Sequence, residues 1–169
     1  MVTHKLHQQI GKIIKEKFNN NNYTVLLDSA CGGKQSIPLF GSEIKSNKTE
    51  YCNVDLLILK DDRIKVIIEI EESDIKPVHI FGKFLVSALS THYIHDSKKC
   101  AMDQSVAFIQ VVDTSKLGIN KTSKFEQCKN IGLSIQKILH MKWSNIGEYK
   151  IFNDKELDKM LAYLSTYLG

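Results

Sequence analysis

The sequence predicts an α/β domain: a mixed central sheet between two helical layers, in the order α-β-β-β-α-β-α, with a small C-terminal appendix. Three observations carry that prediction. Apolar residues near the start recur at helical spacing, through Leu6, Ile10, Ile13 and Ile14. Two runs rich in β-branched residues, "NVDLLILK" and "IKVIIEIEES", flank the turn "DDR" and read as a hairpin. The run "QSVAFIQVVD", Gln104 to Asp113, is almost continuously apolar, as a strand buried on both faces requires.

The elements follow in order. Residues 3–18 form an amphipathic helix, and the Asn19–Asn22 run ends it because Asn prefers caps and turns. Tyr23–Ser29 is a short strand. Ala30 to Glu50 is polar, contains Gly32, Gly33, Pro38 and Gly41, and reads as a loop long enough to serve a function. After the hairpin, Pro77 suits the first turn of a helix whose apolar face is Ile80, Phe84 and Ala88 and which runs through "STHYI". Another helix covers 124–141, with Gly132 inside it. The tail adds a brief strand at Glu148–Phe152 and a helix from Asp154, its expected cap, to Leu168.

A chain of 169 residues buries enough surface to fold as a single domain, residues 1–169, without disulfide or structural metal. Cys31, Cys52, Cys100 and Cys128 form no C-x-x-C pair and read as free thiols of a reducing, cytosolic compartment. The polar N-terminus is no signal peptide, and no apolar run approaches the ~20 residues of a membrane span, so an intracellular protein with no membrane partner is expected. A net charge of +4 permits a polyanionic partner without demanding one.

The acids of the hairpin are the feature that points to chemistry. With the turn centred on Asp62, Asp55 stands opposite Glu69, and Glu71 projects on the same side one pleat further. Like charges so placed destabilise a sheet unless an oxygen-seeking divalent cation sits among them. The competing explanation, acids on a solvated edge, suits Glu71 and Glu72 better than Glu69, which lies among Val66, Ile67, Ile68 and Ile70.

"VD" at Val54–Asp55, the hairpin, and "EIE" at Glu69–Glu71 resemble the PD-(D/E)-x-K nuclease signature, within the element order of that superfamily over residues 3–140. The resemblance implies the three-layer restriction-endonuclease-like fold and a Mg²⁺-dependent DNA endonuclease, with Mn²⁺ as substitute. It implies Asp55, Glu69 and the carbonyl of Ile70 as metal ligands. Glu71 stands where the family's lysine is usual, as it does in a minority of its restriction enzymes. Either Glu71 takes part in catalysis, or a lysine from downstream, Lys83 before Lys76, supplies the ammonium. Many members add an acid from the first helix; Glu16 is the candidate, with Glu50 and Glu43 as rivals.

Lys34, Lys45 and Lys48 in the glycine-containing loop are candidate DNA contacts. Cutting two strands suggests a homodimer. A type II restriction enzyme, a repair or junction-cleaving nuclease, a non-catalytic DNA-binding subunit on the same fold and an unrelated interaction module all remain open. The pairs His4/His7 and His92/His95 have helical spacing but no acid near in sequence, so they read as surface or capping residues. The single Trp143 makes no stacking platform, and Tyr149, Tyr163 and Tyr167 read as packing residues.

Overall fold

The computed structural model describes residues 4–20, 22–73, 75–117, 121–139 and 144–169. Helix α1 (Lys5–Phe18) buries Leu6, His7, Ile10, Ile14 and Phe18, a stripe at three- and four-residue spacing. The asparagines after it act through their side chains: Asn19 Oδ1 accepts the Val25 N–H at 2.9 Å, and Asn20 Oδ1 accepts those of Asn22 and Tyr23. They turn the chain into β1 (Thr24–Leu27), followed by β2 (Pro38–Phe40), β3 (Glu50–Asn53), β4 (Leu56–Lys60) and β5 (Arg63–Glu71). Then come α2 (Pro77–Leu89), β6 (His92–His95), β7 (Lys98–Val112), α3 (Lys121–Ile138), β8 (Ile146–Asn153) and α4 (Leu157–Leu168).

The sheet is mixed. β1, β4 and β5 are antiparallel neighbours, and β7 then β8 continue the sheet parallel to β5. The first residues of β7 pair instead with β6, which pairs with β2 and through it with β3. One 15-residue strand therefore belongs to both halves of the sheet. The faces sort by alternation: Leu56, Ile58, Val66, Ile68, Ala107 and Ile109 pack with α1 and α4. Leu57, Leu59, Ile67 and Phe108 pack on the other side with Phe84 and Ala88 of α2 and Ile135 of α3. The arrangement is three layers, as α/β chains favour.

The structure corrects the sequence reading at four places. The segment Ala30–Glu50 contains β2, all three residues buried, and the start of β3. A three-residue strand is too short to announce itself by alternation. Helix α2 ends at Leu89, where Ser90 turns extended, so "THYI" is strand. His92 and His95 thus point to opposite faces and share no helical side.

Asp154 does not cap α4. Its Oδ1 accepts from the Thr114 N–H at 2.8 Å and the Thr114 hydroxyl at 2.6 Å, which fastens the end of β7. The tail is no appendix, since β8 extends the sheet beside β7 and α4 sends Met160, Leu164 and Leu168 into the core. Leu164 is fully buried, so Leu164→Ala is expected to cost about 2–5 kcal/mol in urea unfolding. A surface appendix would lose almost nothing.

Gly132 stays inside α3 because a Cβ there would lie 3.1 Å from the Tyr149 ring. Tyr149 is buried, and the Tyr163 and Tyr167 rings stack 5.9 Å apart on α4, so these tyrosines are packing residues. Trp143 and the end of the expected 124–141 helix, from 140, lie outside the described residues. Every cysteine is free, and among the described residues no helix is long and apolar enough to cross a membrane.

Candidate active site

The register of the β4–β5 hairpin decides which acids meet. Asp61 and Asp62 take φ of +50° and +56°, as a two-residue type I′ turn requires. Next to that turn Lys60 pairs with Arg63 and Leu59 with Ile64. A bulge between Ile58 and Leu59 then shifts the ladder, so that Ile58 faces Val66, Leu57 faces Ile67 and Leu56 faces Ile68. Continued by one residue, this register sets Asp55 against Glu69.

Backbone direction follows from the same ladder. The Asp113 N–H donates to the Glu71 carbonyl, so odd-numbered residues at this end of β5 turn their backbone groups toward β7. Ile70 therefore turns its N–H and C=O toward the β4 side, where β4 has not yet begun. Its N–H donates to Asp55 Oδ2 at 2.7 Å. The Val54 N–H, which would have met it, goes to Ile37 instead. The Ile70 carbonyl is thus aimed to the same side as the Asp55 carboxylate.

Glu69 is 1% exposed, which removes the explanation of a solvated acid on an edge strand. Lys83 reaches from α2 and places Nζ 2.9 Å from Glu71 Oε1 and 3.3 Å from Glu69 Oε2. Gln110 of β7, opposite Glu69 in the parallel ladder, donates to Glu71 Oε1 at 3.4 Å. Glu69 Oε1 and Gln110 Oε1 are buried without a hydrogen-bond partner. Buried oxygens left so are rare in native interiors and are found where a site has a function to serve.

The electrostatics separate the two opposed carboxyls. Burial, reinforced by the Asp55 charge, drives the Glu69 carboxyl well above the usual carboxylate range against the pull of Lys83. For Asp55 burial also pushes upward, but His7, the Ile70 N–H and Lys83 together hold it below its usual value. Burial opposes the Lys83 charge, and Glu69 and Glu71 overcome it, so its ammonium holds its proton more tightly than a free lysine. Neighbouring acids pushed apart in this way are a mark of functional sites.

Two side chains unforeseen in the sequence complete the cluster. His7 is buried, with Nε2 3.6 Å from Asp55 Oδ2 and Nδ1 2.7 Å from Glu72 Oε2. Glu72 also accepts the Leu6 N–H at 2.5 Å, so it caps the first turn of α1 from the far end of β5. The description of His4 and His7 as surface residues without an acid is therefore wrong for His7, whose acid is distant only in sequence. Its place on the stripe with Ile10 and Ile14 was the available signal.

Asp55, Glu69, Glu71, Ile70 and Lys83 meet; other candidates do not join them. Glu16 lies about 13 Å further along α1 than His7, is 66% exposed and pairs at 4.0 Å with Lys12. His7, rather than Glu16, is the contribution of α1. Glu43 pairs with Lys99 at 3.5 Å, and Glu50 accepts from Asn53. Lys34, Lys45 and Lys48 are exposed. Lys34 follows Gly33, whose N–H donates to the Asp28 carbonyl, while the Asp28 N–H donates to the carbonyl of Asp55. It is thus tethered beside the cluster, whereas Lys45 and Lys48 ride on the β2–β3 turn. Compared with protein families, with curated proteins and with solved structures, the chain finds no match.

Proposed function

We propose that this chain is a Mg²⁺-dependent DNA endonuclease of the PD-(D/E)-x-K kind with a restriction-endonuclease-like core. The observation that carries this reading is the fully buried Glu69, one oxygen unpartnered, beside the Asp55 carboxylate and the side to which the Ile70 carbonyl is aimed. Two carboxylates and a carbonyl are hard oxygen donors, suited to Mg²⁺ or Mn²⁺. Asp55, Glu69 and the Ile70 carbonyl would hold the ion, which when bound polarises a phosphodiester oxygen and acidifies water.

The other roles belong to the chain. Glu71 accepts a proton from the attacking water, and Gln110 fixes its orientation. Lys83 presents its ammonium between Glu69 and Glu71, the service the motif lysine gives elsewhere. His7 keeps Asp55 ionised and in place. Lys34, Lys45 and Lys48 meet the phosphate backbone of the DNA. A homodimer would offer one such site to each strand, as in a type II restriction enzyme or a junction-cleaving nuclease.

One observation favours a second reading. Lys83 pairs with one oxygen of each buried acid, as an internal counter-ion would in a DNA-binding subunit that has given up catalysis. Supercoiled plasmid incubated with Mg²⁺ or Mn²⁺ decides between them. Nicking or linearisation that falls at least about a hundredfold in Asp55→Ala is expected, since even outer-shell partners of a metal are worth 10–100-fold. Cleavage unaffected by that substitution overturns the endonuclease assignment. DNA retained on a gel without cleavage under either metal selects the subunit.

A further inference from the structure

His4, His7 and Glu72 bring one ligand atom each to within 4.8 Å of one another. The three come from the N-terminus of α1 and the residue after β5, elements that meet because Glu72 caps the helix. His4 Nδ1 lies 3.6 Å and His7 Nδ1 2.7 Å from the same oxygen, Glu72 Oε2. The imidazoles stand edge to face, 73° apart with centroids at 5.2 Å. Two nitrogens and one carboxylate oxygen therefore converge on a single point. Zinc at about 2.0–2.1 Å from each ligand needs ligand atoms about 3.3 Å apart, so the His7–Glu72 contact has to open by about 0.6 Å and the His4–Glu72 contact to close by about 0.3 Å.

The supports around the three ligands are those a metal site requires. Glu72 Oε1 is held by the Leu6 N–H, which leaves Oε2 to the ion. His7 Nε2 faces Asp55, so a metal on Nδ1 completes a carboxylate–histidine–metal triad, the arrangement that fixes a ligand's tautomer and ring orientation. His4 is 47% exposed in its side chain and opens the cluster to solvent, where a fourth ligand enters. Imidazole donors distinguish this set from the all-oxygen pocket of Asp55 and Glu69 and select a transition metal over Mg²⁺.

We propose that His4, His7 and Glu72 form a second cation site, for a transition metal of the zinc class, joined to the acidic cluster through the shared contact of His7 with Asp55. Binding displaces the proton between His7 Nδ1 and Glu72, which leaves to solvent as the metal–nitrogen bond forms. The site goes beyond the endonuclease reading and stands independently of it.

Zinc alone, titrated into the full chain, tests the assignment. Calorimetry gives affinity and stoichiometry, and long-range ¹⁵N spectra of the imidazoles identify the ligating nitrogens. One equivalent is expected to move the Nδ1 signals of His4 and His7 and leave the other four histidines in place. Exposed His4 can be removed without loss of fold, and His4→Ala is expected to weaken zinc at least about a hundredfold. Asp55→Asn should weaken it 10–100-fold, as loss of an orienting carboxylate does. Glu69→Gln should leave it within about twofold. Zinc affinity unchanged in His4→Ala, or imidazole signals that do not move, overturns the proposal whether or not the protein cleaves DNA.

Discussion

Replacing Glu69 with glutamine is expected to abolish metal-dependent cleavage and at the same time to stabilise the metal-free protein. The loss follows from removing one of two carboxylates that would hold the ion, and it should exceed about a hundredfold in plasmid nicking rate. The gain follows from burial. Glu69 has almost no contact with water, and its pKa in the folded chain lies well above the usual carboxylate value. Between the unfolded value, about 4.3, and the folded one, the native chain holds a proton that the unfolded chain has released.

Stability from that proton is complete below about pH 4.3 and declines as pH rises through the folded pKa. Glutamine has nothing to titrate, and its amide can donate toward Asp55. In EDTA, urea unfolding from pH 4.5 to 8 should fall in the wild type and stay flatter in Glu69→Gln, with a gain of about 1–2 kcal/mol at pH 8. Asp55 and Glu72 shift downward, so their contribution is present above their unfolded values and disappears as pH falls through the folded ones. The acid limb of both curves should therefore coincide. A wild-type curve as flat as the variant's above pH 4.5 would show that Glu69 carries no burial penalty.

Lys83→Met should be costly for both stability and activity. It leaves Glu69 and Glu71 buried without the ammonium at 3.3 and 2.9 Å. Losing one partner of a fully buried pair costs about 3–5 kcal/mol; the Lys83 side chain is 40% exposed, so about 1–3 kcal/mol is expected. In a domain of this size that lowers the melting temperature by several degrees. If Lys83 serves the reaction, cleavage falls by about 10²–10³, the range for losing one preorganised donor. If it is only an internal counter-ion, the outcome reverses: Mg²⁺ then protects Lys83→Met against heat more than it protects the wild type. Melting curves with and without Mg²⁺ separate the two.

The parts legible in the sequence were those with long periods. Helix α1, the hairpin strands and the apolar stretch of β7 each repeat their pattern often enough to be recognised, whereas β2, β3 and β6 are three or four residues long and show none. The opposition of Asp55 and Glu69 came out correctly through two compensating irregularities. The turn centres between Asp61 and Asp62 rather than on Asp62, and the bulge at Ile58/Leu59 restores the lost step. Without that bulge Asp55 would oppose Ile68 and point to the other face. His7 and Glu72 were illegible for a different reason: they are 65 residues apart, and only the docking of α1 on the end of β5 makes them neighbours.

The doubled allegiance of β7 has a consequence for how the molecule forms. Its pairing with β6 closes across a turn of two residues, His95 to Lys98, and the β4–β5 hairpin is equally local. The parallel match of Ile67 with Phe108 must instead close a loop of about 40 residues, which makes it the slow event on topological grounds. Two hairpins made early would wait for one late docking. Gln110 reaches Glu71 only at that docking, so refolding followed at the Gln110–Glu71 contact should lag refolding followed within either hairpin. The hairpin brings the acids together early, and Gln110 reaches them last.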